Sequence, residues 1–350
     1  PPPPPPPPPP PIFFFNQTPQ NPMLRSLVGS EMCIRDSSFG EAASASRTAR
    51  QQGSVPAFSG GGSDLLQQLK DGTDNADVIV NLRSVADGRT IQSDGSGFAI
   101  GGLVTLNELA EDPSVMTGMS AIAQAAASVG TPQIRNVGTL AGNVTQRPWC
   151  WYYRNGFNCF KAGGDECFSL NGENGQHAIF GGGPSFIVHP SDVAPALVAF
   201  DAIFQVTGPT GSREVSAEEF FVLPATDPAR ENSLNEDELL TGVRIPSVSA
   251  NTVSTYYKVM DREAWTHAEV GVATVIQRDG NAAQNAKVVL AGVAPIPWRV
   301  RAVEDFLAGK QINAAVAREA GEIGIEDALP LSKNAHKSVS YTHLTLPTKA

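Results

Sequence analysis

The sequence predicts an α+β chain built from more than one packed unit, and three observations carry that prediction. A strand–glycine–helix arrangement recurs in the first half of the chain. Strand-like runs alternate with helical ones in the last third, the pattern of a separate α+β domain. Between them lies an aperiodic stretch, residues 148–184, rich in aromatics, glycine and asparagine and holding three of the four cysteines.

Residues 38–82 read as helix, strand, turn, helix, strand. The apolar run Val55–Phe58 precedes Gly60-Gly61-Gly62, and Ser63 then opens SDLLQQLKDG, where Leu65, Leu66 and Leu69 share a helical face and Gly72 is the stop. Val78–Leu82 follows as a buried strand. The unit recurs as Phe98-Ala99-Ile100, Gly101-Gly102 and a helix from Thr105 through Leu109. Ser120–Gly130 is a further helix, with Ile122, Ala126 and Val129 at helical spacing and Gly130 and Pro132 closing it. Regular structure resumes over Ile187–Val206. The last region begins near Ser216, with strands at Thr255–Val259, Val270–Ile276 and Lys287–Val293 and helices at Arg301–Leu307 and Ala314–Gly321.

Both ends read as translated DNA-library adapters. The string GAG-ATG-TGT-ATA-AGA-GAC-AG encodes Glu31–Asp36 and the start of a serine codon. Its reverse complement encodes Val-Ser-Tyr-Thr-His-Leu, the peptide at Val339–Leu344. Leu27–Ser30 and Thr345–Thr348 fit the flanking adapters, and Pro1–Pro11 fits a translated C homopolymer. Ile12–Ser26 has no clear origin and is set aside with them. Residues 1–37 and 338–350 are therefore expected to be non-native, leaving Ser38–Lys337 as the core. Such ends carry no information on a start signal, targeting peptide or native terminus, and the compartment is left open between cytoplasm and periplasm.

Roughly three hundred residues suffice for two domains with their own cores. A formal charge of −10 with no basic block argues against nucleic acid as a partner. No apolar run approaches the ~18 residues that span a bilayer. With Cys33 in the adapter, Cys150, Cys159 and Cys167 remain, and an odd, clustered set suits metal or cluster ligation better than disulfides.

Two glycine-rich turns carry the chemistry. Strand, three glycines and a helix N-terminus make an anion cradle, because glycines let backbone amides approach phosphate oxygens. Alone, this is also how a tight turn with an N-cap looks. The second turn, Ile134 to Thr145, has small residues at Gly138, Ala141 and Gly142 and donors at Thr139, Asn143 and Thr145. Two such loops suggest the two phosphates of a dinucleotide.

FSGGGSDLL, IRNVGTLAGN, HPSD-x4-LVAFDA, ELLTGVRIP and YYKVMDREAWTHAEVGVA together resemble the flavin subunits of the xanthine dehydrogenase and aldehyde oxidoreductase family of molybdenum hydroxylases. The likeness runs over essentially all of Ser38–Lys337, with Ser63 and Ala141 as mild departures from the family's usual Thr and Gly. It implies a two-part FAD-binding fold of the vanillyl-alcohol oxidase (PCMH) type followed by a smaller α+β C-terminal domain. The corresponding segments would be residues 38–95 and 96–215 for the two FAD-binding subdomains and 216–337 for the C-terminal domain. It also implies that Gly60, Gly61, Gly62, Ser63, Asp64 and Leu65, with Thr139, Gly142, Asn143 and Thr145, hold the pyrophosphate and ribityl chain of FAD. Ser191 and Asp192 would contact the cofactor, and Lys258 would lie near the flavin ring. Read without the motif, Asp192 is a helix N-cap and Lys258 a solvated strand lysine.

Residues 147–187 form an insertion where ordinary members are short. The spacing Cys150-x8-Cys159-x7-Cys167 is not that of a zinc ribbon. It resembles the insertion that carries a 4Fe–4S cluster in the aldehyde oxidoreductase and hydroxybenzoyl-CoA reductase branches, for which thiolates are the usual ligands. A fourth cysteine is lacking; Ser185 stands at its place, with His177 and His189 as other candidates, and structural zinc or free buried thiols as the alternatives. The implied role is electron relay within a heterotrimer, alongside a molybdenum-cofactor subunit and a 2Fe–2S subunit, with no acid–base catalyst in this chain. A stand-alone FAD oxidase of the same superfamily and a non-enzymatic adaptor are the rival readings. A nicotinamide-linked Rossmann enzyme would need a G-x-G-x-x-G that the sequence does not show.

Overall fold

The computed structural model describes residues 33–35, 37–93 and 95–343. Pro1–Met32, Asp36, Asp94 and Leu344–Ala350, including most of the adapter-like peptides, lie outside the described residues.

The first unit is a small parallel sheet with helices. Its elements are β1 (Cys33–Arg35), α1 (Phe39–Gln51), β2 (Pro56–Ser59), α2 (Leu65–Asp71) and β3 (Val78–Asn81), in sheet order β1-β3-β2. The Ser38 side chain caps α1 by accepting from the Glu41 N–H. Gly72, at φ +69°, ends α2 in the left-handed conformation that glycine adopts without penalty. β1 falls within the adapter-like peptide yet pairs in register with β3, Cys33 opposite Ile79 and Arg35 opposite Asn81. A parallel edge is recognised through backbone N–H and C=O groups, so the pairing makes little demand on which side chains the tripeptide carries. Ala42, Ala43, Val80 and Leu82 form the local core.

The second unit holds β4 (Ile91–Ser93), β5 (Gly97–Gly101), the helices α3 (Leu106–Glu111), α4 (Pro113–Gly118), α5 (Ser120–Ala127), α6 (Pro132–Arg135), α7 (Leu140–Val144) and α8 (Trp151–Arg154), then α9 (Val193–Ala199), β6 (Ile203–Gly208), β7 (Gly211–Ser216), α10 (Ala217–Phe220) and β8 (Leu239–Pro246). Its sheet is antiparallel in the order β4-β5-β8-β6-β7. Helix α3 starts with a full capping box, Thr105 and Glu108 each satisfying the other's backbone N–H. Helix α9 is buried along its whole length, which explains its run of small and aliphatic residues.

The third unit is a four-stranded antiparallel sheet, β12-β11-β10-β9, made of β9 (Thr252–Val259), β10 (Val270–Asp279), β11 (Ala282–Ala291) and β12 (Trp298–Arg299). It packs with α11 (Arg301–Leu307), α12 (Ala314–Ile323) and α13 (His336–His343) around Val272, Val288, Leu290 and Leu307. β8 sits between β5 and β6 in the second sheet, and β4, from within residues 38–95, pairs with β5 at its edge. β8 returns from a long connection to pair with strands far earlier in the chain, which local patterning does not register.

Candidate functional site: a cavity between two glycine turns

The two glycine-rich turns meet backbone to backbone. A Cβ built on Gly61 would lie 1.8 Å from the Val137 carbonyl oxygen, so only glycine lets the turns approach this closely. Gly60 packs on Thr139, whose Oγ1 would be 3.0 Å from an added Cβ, and Gly62 has φ +78°. Arg83 fixes the first turn by donating from Nε and Nη2 to the carbonyls of Gly60 and Gly61, at 3.2 and 3.1 Å. The second turn is pinned on the start of α3: the Leu106 N–H donates to Gly138 O and the Leu140 N–H to Val104 O. Thr139 then caps α7, its Oγ1 accepting from the Gly142 N–H at 3.1 Å.

Between the turns lies a cavity of about 530 Å³, a size typical of sites for cofactors and other small molecules. Gly60–Leu65, Thr139, Gly142, Asn143, Thr145 and Asp192, expected as site residues, all line it. Ser191 and Lys258 do not line it; they stand directly behind the wall. The Ser191 hydroxyl donates to Asn143 Oδ1 at 2.5 Å and accepts from the Ala194 N–H at 3.0 Å. It thereby bonds an N–H in the first turn of α9, the work that the isolated sequence assigned to Asp192.

Asp192 does something else. At the start of α9 its side chain makes no capping bond. One carboxylate oxygen accepts from Tyr256 OH at 2.6 Å and the other from Lys258 Nζ at 2.8 Å. Lys258 also donates to Ser128 O and Thr266 O, both at 3.1 Å, so all three of its donors are used. It is 8% exposed, a buried ion-paired lysine and not the solvated strand residue that it resembles in isolation. Burial, followed by the Asp192 charge, raises the Tyr256 phenol well above its ordinary range, so the phenol keeps its proton as donor.

Asp64 lines the cavity, but its carboxylate is engaged by the cysteine-bearing insertion. Its Oδ1 accepts from Arg154 Nη2 at 2.8 Å, and its Oδ2 from the Arg147 N–H at 3.1 Å and from Gln68 Nε2 at 3.0 Å. This explains why Asp64, at the N-cap of α2, makes no capping bond there. Sequence reasoning missed Arg83, Arg147, Trp149, Arg262, Trp265 and His267, all of which line the cavity except Arg83. Only the proximity of 146–154 to Asn143 in the chain hinted at the insertion's share. The cavity fits FAD on the structure's own terms: a turn that excludes any side chain, a second turn carrying hydroxyl and amide donors, and a cleft between them.

Within the insertion the three thiols are unpaired by disulfides, with Cys159 buried and the other two half-buried. Burial, with the neighbouring Cys159 and Cys167 adding to it, pushes the Cys150 thiol up to about 11. Cys150 Sγ lies 3.3 Å from His177 Nε2. Ser185, 2% exposed, precedes Phe186, whose N–H points at Cys167 Sγ at 3.5 Å. Thus Ser185 lies beside the thiols along the chain path. His177 and His189 are not solvated, as loop histidines usually are: both are buried, and burial pushes each down to about 4. His189 packs edge-on against Phe221 and accepts at Nδ1 from the Ser191 N–H, which ties it to the cavity wall and not to the thiols. Among the described residues no group of three or more His, Cys, Asp and Glu side chains is arranged to hold a metal ion. Among them, too, no helix is long and apolar enough to cross a membrane.

Comparison with known proteins agrees with this geometry. Residues 30–248 match the FAD binding domain in molybdopterin dehydrogenase, and residues 255–345 match the CO dehydrogenase flavoprotein C-terminal domain. The aldehyde oxidoreductase FAD-binding subunit PaoB of Escherichia coli is 32% identical over 251 residues, 71% of this chain and 77% of that protein. The carbon monoxide dehydrogenase medium chain of Hydrogenophaga pseudoflava is 25% identical over 276 residues, 79% and 80% of the two chains. Among solved structures, carbon monoxide dehydrogenase from the same organism superposes with a TM-score of 0.69 at 23% identity, covering 89% of this chain and 93% of that one. Quinoline 2-oxidoreductase from Pseudomonas putida 86 gives 0.67 at 20% identity, with 89% and 93% covered, and both likenesses speak for the fold. The chain belongs to the FAD-binding, medium-subunit family of the xanthine dehydrogenase, CO dehydrogenase and aldehyde oxidoreductase type, and is an oxidoreductase flavoprotein subunit.

Proposed function

We propose that this chain is the electron-relaying subunit of a molybdenum hydroxylase complex, taking electrons from iron–sulfur centres and passing them through FAD to an external acceptor. The observation that carries the reading is the approach of Gly61 to Val137, which closes two anion-cradling turns over one cavity. When bound, FAD supplies the one- and two-electron chemistry that side chains lack. The chain's own part is to hold and shield it. Gly60–Leu65 and Thr139, Gly142, Asn143 and Thr145 would hold the pyrophosphate and ribityl chain. Asp192 would contact the cofactor from the wall, and Ser191 and Lys258 would act from behind, setting the positions of Asn143 and of the Thr266 segment near the flavin ring.

The similar proteins are named as subunits of aldehyde oxidoreductase and carbon monoxide dehydrogenase, which supports a molybdenum-cofactor subunit and a 2Fe–2S subunit as partners. For the insertion we infer a 4Fe–4S cluster on Cys150, Cys159 and Cys167 with Ser185 as the fourth, oxygen ligand. Three neighbouring thiols support it, because soft sulfur suits iron and a cubane spaces its ligands more widely than a single ion does.

The test is the absorption spectrum, with iron and sulfide analysis, of the full chain purified anaerobically. Flavin bands with a dithionite-bleachable shoulder and about four irons per flavin are the expected result. Flavin without iron removes the cluster and leaves the subunit assignment intact. Folded protein that takes up no flavin overturns the reading.

A further inference from the structure

Outside the two glycine turns, residues 146–154, the entry of the cysteine insertion, bring Gln146, Arg147 and Trp149 to the cavity wall. Trp149 lines the cavity between two neighbours: the Arg154 guanidinium lies 4.3 Å over its ring, and the His267 ring, also in the lining, is 5.3 Å away. Its indole N–H donates to Gln146 Oε1 at 3.1 Å. Arg154 is the hub. Its side chain is 8% exposed; Nη2 reaches Asp64 Oδ1 at 2.8 Å and Arg147 O at 3.0 Å, and Nε reaches Pro148 O at 2.8 Å. The Arg147 N–H closes the ring on Asp64 Oδ2. One buried guanidinium thus fastens the insertion's first turn to the residue that opens α2, immediately after the glycine cradle.

We propose that the cysteine insertion is a working part of the cofactor site, with Arg154 as the positioning residue that sets Trp149 against the bound FAD and holds Asp64 and the glycine cradle in register. The inference rests on the flavin reading above and adds a residue set that the glycine motifs do not contain. An arginine fits the task and a lysine does not, because the planar fork serves a carboxylate and two carbonyls while its face covers an indole. Coupling of this kind is reciprocal: whatever orders the insertion favours FAD, and FAD orders the insertion.

The experiment is a flavin-fluorescence titration of the full chain, stripped of cofactor, with folding monitored by circular dichroism. R154L is expected to raise the FAD Kd at least about tenfold, R154K to recover only part of that, and a D64N/R154L double variant to be hardly worse than R154L alone, as a shared contact requires. Because R154L removes a buried charge and leaves Asp64 without its partner, a cost to stability, W149A provides an independent arm: Trp149 is 38% exposed, so its loss is tolerated, and its FAD Kd is expected to rise about fivefold. W149F should lose part of the drop in tryptophan emission that accompanies FAD binding in the unaltered chain. A folded R154L, or W149A, whose Kd stays within twofold overturns the proposal while leaving the flavin reading standing. An unaltered chain that binds no FAD overturns both.

Discussion

The two sides of the cavity are built by different physics. On one side, Gly60–Gly62 and the 134–145 turn are held by backbone proximity: a single added carbon on Gly61 collides with Val137 O. On the other, Asp192, Tyr256 and Lys258 form a buried knot of charge-assisted hydrogen bonds spanning the second and third units. The first depends on what is absent from the side chains, the second on what each supplies. Damage to the backbone side therefore acts mainly on the ligand and admits no compensating change, whereas damage to the side-chain side acts on stability and can be offset by a second substitution.

The largest expected effect is on the side-chain side. K258M leaves Asp192 buried without its cation and should cost about 3–5 kcal/mol in urea unfolding, and D192N/K258M should recover a substantial part of it. A double variant no more stable than K258M would break the comparison.

Acid should act next. His177 and His189 are held neutral by burial, each pushed from an ordinary 6.5 to about 4. Their folded values lie below the unfolded one, so the unfolded chain binds more protons between these pH values. The stability is complete above about pH 6.5 and lost as pH falls towards 4, at roughly 3 kcal/mol for each imidazole. Urea midpoints at pH 7.5 and 4.5 check this, and replacing His189 with Phe should flatten the slope.

On the backbone side, G61A should cost about 1–3 kcal/mol of stability, by forcing the two turns apart, and should abolish flavin retention on a desalting column. Retention of flavin by G61A would show that the turns need not touch. As the smallest effect, K333A removes an exposed ion pair with Glu173 and should shift stability by less than about 1 kcal/mol with flavin content unchanged.

Much of this site was legible in the sequence because its parts are local. Gly60–Leu65 and Thr139–Thr145 are contiguous motifs, and of the residues expected to hold FAD all but Ser191 and Lys258 line one cavity. The secondary structure around them was legible for the same reason, as with α11 at Arg301–Leu307 and α12, which runs two residues beyond its expected end. What stayed hidden depends on pairing across long separations. β8 inserts between β5 and β6. Arg154 crosses to Asp64, ninety positions away. Lys258 finds Asp192, and in doing so loses the solvent that its strand position suggested. No periodicity carries such information, because an isolated charged residue reads the same whether water or a distant carboxylate will meet it.

The Asp192–Lys258 tie also bears on inheritance. The carboxylate belongs to one matched family domain and the ammonium to the other. A recombination that exchanged the C-terminal domain for one without a cation at this place would strand a negative charge in the interior. In this chain the two domains are therefore matched at one buried charge, and a replacement of either would need to keep the pair or neutralise both members.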